Sequence, residues 1–547
     1  MNFLENIFER LKAAGELPVA QEARGSRLVS TTARELLAQV AAARTFLRQA
    51  GLRRGDRCAL LAQNSTRWVA ADLALMAEGM IVVPLYARQA PAELAAMARD
   101  SQARLVVCGE ALLAESLRDA MPDAPRRVLF DEIFRGAGRQ EAPATRADAD
   151  AVMILYTSGT SGEAKGVILT AGNLNHMLSC TSARLDLLMG QRREPEQVFH
   201  YLPMCFAGSW ILMLSCLSRN AVLTLSTDLS KLADEIRLAE PHYSLNVPTL
   251  LERVRACVEE KILERGGKVA GIFRGAKEAW AKKQEGKASL FDMMRLALAK
   301  AVVFPAIRRR FGGNLKALIC GSAPLAVETQ LFFEMIGIPV LQVYGLTETT
   351  AICTMDDPRK IEAGRVGPAI LGVEMRVGEN EEILVRGPNV FPGYWNRAEE
   401  TARVLKDGWF HSGDQGEVDA AGKWKIIGRI KNLIILNSGH NIAPEPIEDE
   451  LQRRIPGAQQ VVLVGNGRSF LAALVTGAVK PREVEAALAA LNEKLPHYRK
   501  VHAYQPVREA FTVENGLLTA NGKLKRDVIA AKYRAEIEAM YGKAVSA

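Results

Sequence analysis

An apolar run, residues 151–156, opens directly into Thr157-Ser-Gly-Thr-Ser-Gly-Glu-Ala-Lys165-Gly-Val167. This constrains the chain more than any other stretch, because it reads as a buried strand ending in a loop of small hydroxyl and glycine residues around one cation. Glycines let backbone N–H groups approach an anion closely, and hydroxyls add short donors, so the loop suits a polyphosphate. The spacing is not the Walker pattern, since two residues separate Gly162 from Lys165 and no Ser or Thr follows the lysine. Taken alone, the loop reads equally well as an ordinary flexible turn.

The flanking sequence favours an α/β frame. Helical periodicity over residues 33–50, 68–76 and 91–100 alternates with strand-like runs at 57–62, 81–85 and 104–108. Such alternation predicts a parallel sheet covered by helices. Further buried strands are expected at 221–225, 315–320 and 339–343, a helix over 289–310, and a surface excursion over the Gly-, Lys- and Ala-rich segment 265–288. After Gly364 the chain is punctuated by Gly387, Pro388, Pro392 and Gly393, which predicts a β-rich subdomain. Gly428-Arg-Ile-Lys431 is a polar connection, so residues 1–430 and 431–547 are expected to form separate domains.

A chain of 547 residues exceeds the size of a single core, and 48% hydrophobic content supplies more than one. Eight cysteines are scattered with no CxxC pair, as in a reduced, cytoplasmic protein rather than a disulfide scaffold or zinc site. The first residues are amphipathic at helical spacing, unlike a signal peptide. The apolar stretch 210–225 is interrupted by Arg219 and Asn220 and is too short to span a bilayer. Net charge is +8, but the clusters Lys282-Lys283 and Arg308-Arg309-Arg310 lack interleaved aromatics. That argues against nucleic acid and for small polyanions or an acidic membrane surface.

Four more segments join the first loop: Gly321-Ser-Ala-Pro-Leu325, Tyr344-Gly-Leu-Thr-Glu-Thr349, Trp409-Phe-His-Ser-Gly-Asp414 and Asn521-Gly-Lys-Leu-Lys-Arg526. Each has a bland reading as a turn, cap or solvated charge cluster. All five in this order resemble the adenylate-forming superfamily of acyl-CoA synthetases, aryl and luciferin ligases and peptide-synthetase adenylation domains, over residues of about 30 to 530. Within it, Lys425-Ile-Ile-Gly-Arg-Ile-Lys-Asn-Leu-Ile434 and Ile442-Ala-Pro-Glu-Pro-Ile-Glu448 look most like long-chain fatty acyl-CoA synthetases.

The resemblance implies a large N-terminal domain of parallel helix-covered sheets plus a β-rich subdomain, followed by a small mobile α+β lid. It implies that Thr157, Ser158, Gly159, Thr160, Ser161, Gly162 and Lys165 hold the β- and γ-phosphates of ATP. Gly321, Ser322, Ala323 and Pro324 would line the adenine, and Tyr344, next to Gly345, would stack on it. Thr347 would touch the α-phosphate. Glu348, with Thr160, would hold Mg²⁺. Asp414 would accept from the ribose hydroxyls, Arg429 would contact the ribose or phosphate region, and Lys523 would reach the substrate carboxylate and α-phosphate. Phe206 and Trp210 are candidate acyl contacts, with Trp210 equally readable as a core residue. Gly439 and His440 are candidates for the coenzyme A side after rotation about Lys431. Lys525 is the rival for Lys523.

Some positions depart from the pattern. Ser412 replaces the usual Thr, Ala164 a common Pro, and Phe206 a common His, while Asn521-Gly522 resembles the wider superfamily more than the long-chain branch. The implied reaction joins a fatty acid to coenzyme A through an acyl-adenylate, with ATP, Mg²⁺ and coenzyme A required. An acyl carrier protein as acceptor, a catalytically weak protein of the same fold, and a peripheral contact with the inner face of a membrane remain open at this level.

Overall fold

The computed structural model describes residues 2–123, 125–157, 164–190, 192–519 and 522–543. A first sheet runs Arg126–Leu129, Leu105–Cys108, Arg57–Leu61, Ile81–Leu85, Ala151–Thr157 and Lys165–Thr170 in spatial order. Its first five strands are parallel, and the last is an antiparallel edge formed by the hairpin that carries the glycine-rich loop. Side chains alternate across it as the pleat requires. Cys58 and Leu60 enter one core, whereas Ala59 and Leu61 enter another with Leu94 and Met97 of the helix Pro91–Asp100.

A second, eight-stranded sheet runs Thr354–Met355, Val340–Tyr344, Ala317–Cys320, Tyr243–Asn246, Glu196–His200, Ala221–Ser226, Pro18–Arg24 and Arg27–Thr32. It is parallel inside and antiparallel at both ends. The helices Ala33–Gln49, Thr66–Ala77, Ala171–Met189 and Ala207–Ser218 contribute to one core with strands of both sheets. The N-terminal helix Phe3–Ala14 joins it by burying Phe3, Leu4, Ile7, Phe8 and Leu11, and its start is fixed by Asn2, whose side chain accepts from the Leu4 and Glu5 amides.

Two expectations need correction. The segment 265–288 is not a loose excursion: its residues Gly267–Gln284 form a helix that buries Ala270, Phe273, Ala276 and Ala279. The helix expected over 289–310 is broken at Val303 into Leu290–Val302, Phe304–Arg308 and a short 3-10 turn at Arg309–Phe311, because Pro305 cannot continue the first helix's hydrogen-bond ladder.

The β-rich part is a five-stranded antiparallel sheet of Glu374–Val377, Glu382–Arg386, Trp409–Val418, Leu405–Lys406 and Trp424–Arg429. Beyond a 3-10 turn at Ile430–Asn432, the strands Ala458–Val464, Leu471–Gly477 and Val501–Val507 form a three-stranded sheet with four helices, Glu445–Arg454, Pro481–Asn492, Arg526–Lys532 and Arg534–Lys543. Among the described residues, two ion pairs cross from this part to the larger one: Arg453 to Glu328 at 2.9 Å and Lys525 to Glu93 at 3.5 Å. All eight cysteines are free.

Among the described residues, Asp72 is one of several costly groups in the interior. Asp72 is fully buried; one carboxylate oxygen accepts from the Trp210 indole N–H at 2.9 Å, and the other has no partner among the described residues. Burial pushes its carboxyl up to about 7. The folded state therefore holds a proton that the unfolded state releases near 3.8, so stability falls as pH rises between those values. Asp72→Asn keeps an acceptor for Trp210 and removes the charge. It is expected to raise the thermal midpoint by several degrees at pH 8, a relief on the order of 3 kcal/mol, with no gain at pH 4. An equal shift at both pH values would contradict a protonated Asp72.

Candidate functional site

The C-terminal ends of both parallel sheets, the β-rich sheet and the C-terminal part enclose one cleft of about 2680 Å³. Open parallel sheets bind ligands at such strand ends. The hairpin Ala151–Thr170 reaches it with Thr157 directly opposite Lys165. The proposed phosphate contacts Ser158, Gly159, Thr160, Ser161 and Gly162 lie outside the described residues. Below the loop, Gly166 has no room for a side chain: a Cβ would stand 2.7 Å from Ile154 Cγ2 and 3.2 Å from Trp395 Cβ. Its carbonyl accepts from the Trp395 amide at 2.7 Å, so the segment around Tyr394 is laid along the hairpin.

Tyr394 was not anticipated from the sequence. Its hydroxyl donates to Glu348 Oε1 at 2.8 Å, and its ring lies 5.5 Å from Lys165 Nζ. Lys165 is ion-paired with Glu400. One aromatic ring therefore connects the loop's cation to the carboxylate of the Tyr344-Gly-Leu-Thr-Glu motif. The only hint in the sequence was the Pro392-Gly393 turn just before it.

Strand Val340–Tyr344 delivers Tyr344, whose hydroxyl donates to Asp414 Oδ2 at 2.8 Å. Register puts Asp414 opposite Arg429 on neighbouring antiparallel strands, and Arg429 Nε meets Asp414 Oδ1 at 2.6 Å. Asp414 is thus buried with both oxygens engaged. Gly345 and Thr347 line the cleft in the turn that follows. Gly345 is required there, because a Cβ would lie 2.2 Å from the Ala351 carbonyl oxygen. Gly321, Ser322, Ala323 and Pro324 line the same wall. A Cβ on Gly321 would lie 2.6 Å from Val343 Cγ2, and Ser322 adopts φ +75°, a strained conformation of a kind concentrated at binding sites.

The C-terminal part closes the cleft with Lys523. Its loop is held by Arg526, which forks onto Glu448 at 2.6 and 2.5 Å, and by Gly522 at φ +73°. Lys523 is reachable by solvent from the open cleft yet surrounded by protein on the other sides. That packing and the Arg429 charge lower its ammonium pKa, opposed by Asp414 and Glu348. Lys431 is pushed down to about 8 by burial and by Arg429 and Lys523. Three cations thus converge where an anion would be welcome. Lys525 also lines the cleft, where it pairs with Glu93 at 3.5 Å.

The remaining candidates divide. Phe206 lines the cleft, its ring 5.8 Å from Tyr86, at a loop pinned by Asn64, which donates to the Leu202 carbonyl at 2.7 Å and accepts from the Met204 amide at 3.0 Å. Trp210 turns away from the cleft to Asp72, in keeping with its reading as a core residue. Gly439 and His440 do not line the cleft: His440 is exposed, stacked 4.2 Å from Tyr498, and its Nδ1 lies 3.0 Å from Ser438 Oγ.

Among the described residues no three His, Cys, Asp or Glu side chains form a metal cage. Glu348 offers a single carboxylate beside the loop, which fits a Mg²⁺ that takes most of its ligands from phosphate and water.

Gly345→Ala is expected to displace the turn and lower the thermal midpoint by several degrees, a cost on the order of 1–3 kcal/mol. Gly208→Ala, whose Cβ would meet nothing nearer than Leu245 Cδ2 at 3.6 Å, should leave the midpoint unchanged. Equal midpoints for the two variants would contradict the tight turn.

Residues 12–395 match the family described as AMP-binding enzyme, and residues 431–545 match the AMP-binding enzyme C-terminal domain. A long-chain-fatty-acid–CoA ligase of Mycobacterium bovis is 27% identical over 99% of this chain and 97% of its own. Long chain acyl-CoA synthetase 3 of Arabidopsis thaliana is 26% identical over 91% of this chain and 84% of its own. Among solved structures, ATP-bound MatB from Rhodopseudomonas palustris superposes with a TM-score of 0.73 at 25% identity, covering 97% of this chain and 99% of that one. With the strand-end cleft, the Tyr344–Asp414–Arg429 cluster and a match spanning most of its length, the chain belongs to the AMP-binding enzyme family.

Proposed function

We propose that this chain activates a fatty acid of medium to long chain with ATP and transfers the acyl group to coenzyme A, releasing pyrophosphate and AMP. The observation that carries this reading is the convergence of Lys523, Arg429 and Lys431 on a cleft that also holds Asp414, Glu348 and Lys165 and is walled elsewhere by Gly208, Ile211, Leu212, Leu245 and Ile319. One region offers charge to a nucleotide, the other apolar surface to an alkyl chain.

A carboxylate is a poor acylating agent because oxide is a poor leaving group. In the first step a carboxylate oxygen forms a bond to the α-phosphorus of ATP and the bond to pyrophosphate breaks. Both partners are anionic, so the chain must neutralise charge and hold them in line. Lys165 and the loop residues Thr157 to Gly162 would take the β- and γ-phosphates, Thr347 the α-phosphate, and Lys523 the oxygens at the developing bond. Tyr344 and residues 321–324 would hold the adenine, with Asp414 and Arg429 at the ribose. Glu348, with Thr160, would hold the Mg²⁺ that offsets phosphate charge. In the second step the thiol sulfur of coenzyme A attacks the acyl carbonyl and AMP leaves. Gly439 and His440, now outside the cleft, would approach it by rotation of residues 431–547 about Lys431.

The direct test is pyrophosphate and acyl-CoA formation from ATP, Mg²⁺, coenzyme A and saturated acids of increasing length. Acyl-CoA yield rising with length supports the reading. Pyrophosphate without acyl-CoA would move the acceptor to a carrier protein, and silence across the series would overturn fatty acid activation. Lys523→Ala is expected to slow pyrophosphate release by about a hundredfold or more. Lys525→Ala, which removes a partly exposed pair with Glu93, should cost no more than about fivefold. The opposite order would exchange their roles. Gly208→Leu should shift preference to shorter acids; an unchanged profile would remove the alkyl chain from that wall.

A further inference from the structure

The helix Leu290–Val302 has two apolar faces. Asp292, Leu296 and Ala299 are buried, against the helix Gly267–Gln284 and its Phe273 and Ala276. On the opposite side Leu290, Met294, Leu298 and Val302 follow one another at four-residue spacing and are 87%, 69%, 49% and 54% exposed. Phe291 and Met293 extend this stripe at 60% and 45%. Single exposed apolar side chains are ordinary, but a continuous stripe along a helix marks a surface that something covers.

The charge around the stripe says what covers it. Residues 261–310 hold 13 Lys and Arg against 4 Asp and Glu, a net of +9, while the whole chain carries +8. The rest of the molecule is therefore close to neutral. Lys268, Lys283, Lys300, Arg308, Arg309 and Arg310 are exposed and have no carboxylate partner among the described residues. An isologous contact with a second copy would set two such faces against each other, and the near-neutral remainder has no matching excess of acid. Among the described residues no helix is long and apolar enough to cross a membrane, so the stripe belongs on a surface rather than through one. The helix that leads into this segment, Pro248–Arg265, begins at the cleft, which Val247, Pro248, Thr249 and Glu252 line.

We propose that the helix Leu290–Val302 and its basic surround form a docking face for an anionic lipid bilayer, the stripe entering the headgroup layer and the cations pairing with lipid phosphate. This goes beyond the catalytic reading and does not depend on it, because binding is scored without turnover.

The test is co-sedimentation of the full chain with vesicles of phosphatidylcholine mixed with phosphatidylglycerol, against pure phosphatidylcholine. Binding to the anionic vesicles, weakened by salt and small on the neutral ones, is expected. The Leu290→Ser/Met294→Ser/Leu298→Ser and Lys283→Glu/Lys300→Glu variants should each lower partitioning about tenfold or more while keeping the wild-type circular dichroism and thermal midpoint. Because every substituted residue is exposed, folding should survive in both. Absence of wild-type binding, equal binding to neutral vesicles, or full binding by the serine variant would overturn the proposal. So would a wild-type dimer that the serine variant converts to a monomer, since a second copy would then cover the stripe.

Discussion

One buried carboxylate holds the parts in relation. Asp414 comes from the β-rich sheet, accepts from Tyr344 of the eight-stranded sheet, and pairs with Arg429 on the strand that leads into the C-terminal part. A buried anion is costly unless its oxygens are engaged, and here both are. Satisfying it fixes the tyrosine, the exit strand and, through Arg429, the field felt by Lys523. The cleft has its shape because three separate regions of sequence must meet at that side chain.

The fold was legible where periodicity is strong. The strands at 57–61, 81–85 and 105–108 and the helix Pro91–Asp100 lie where alternation and helical spacing put them, within a residue or two. The segment 265–288 misled because Gly, Ala and Lys resemble a linker, and of its buried residues Ala270, Phe273, Ala276 and Ala279 only Phe273 is bulky, so their helical spacing carries little apolar signal. Strand Pro18–Arg24 pairs on one side with Ala221–Ser226, about two hundred positions later, a relation no local pattern encodes.

The site divides in the same way. Loop chemistry announces itself through glycine, hydroxyl and charge, so the five segments stood out together. What remained hidden were the residues that orient them. Tyr394, Asn64 and the Glu448–Arg526 fork are ordinary residues whose role exists only through contacts across the chain. Trp210 was balanced between two readings because a tryptophan among apolar residues looks the same whether its indole faces a cavity or a buried Asp72.

The seam between the two parts has a thermodynamic consequence. Among the described residues, no apolar cluster draws on both sides: the larger part's cores end at Trp424, and the two C-terminal cores begin at Ile434. What crosses is charge, Arg453 to Glu328 and Lys525 to Glu93. A reorientation of one part against the other would expose little hydrocarbon, so it would carry only a small change in heat capacity and vary gently with temperature. Partly exposed ion pairs are screened by salt, so ionic strength is the variable to which such a reorientation would respond.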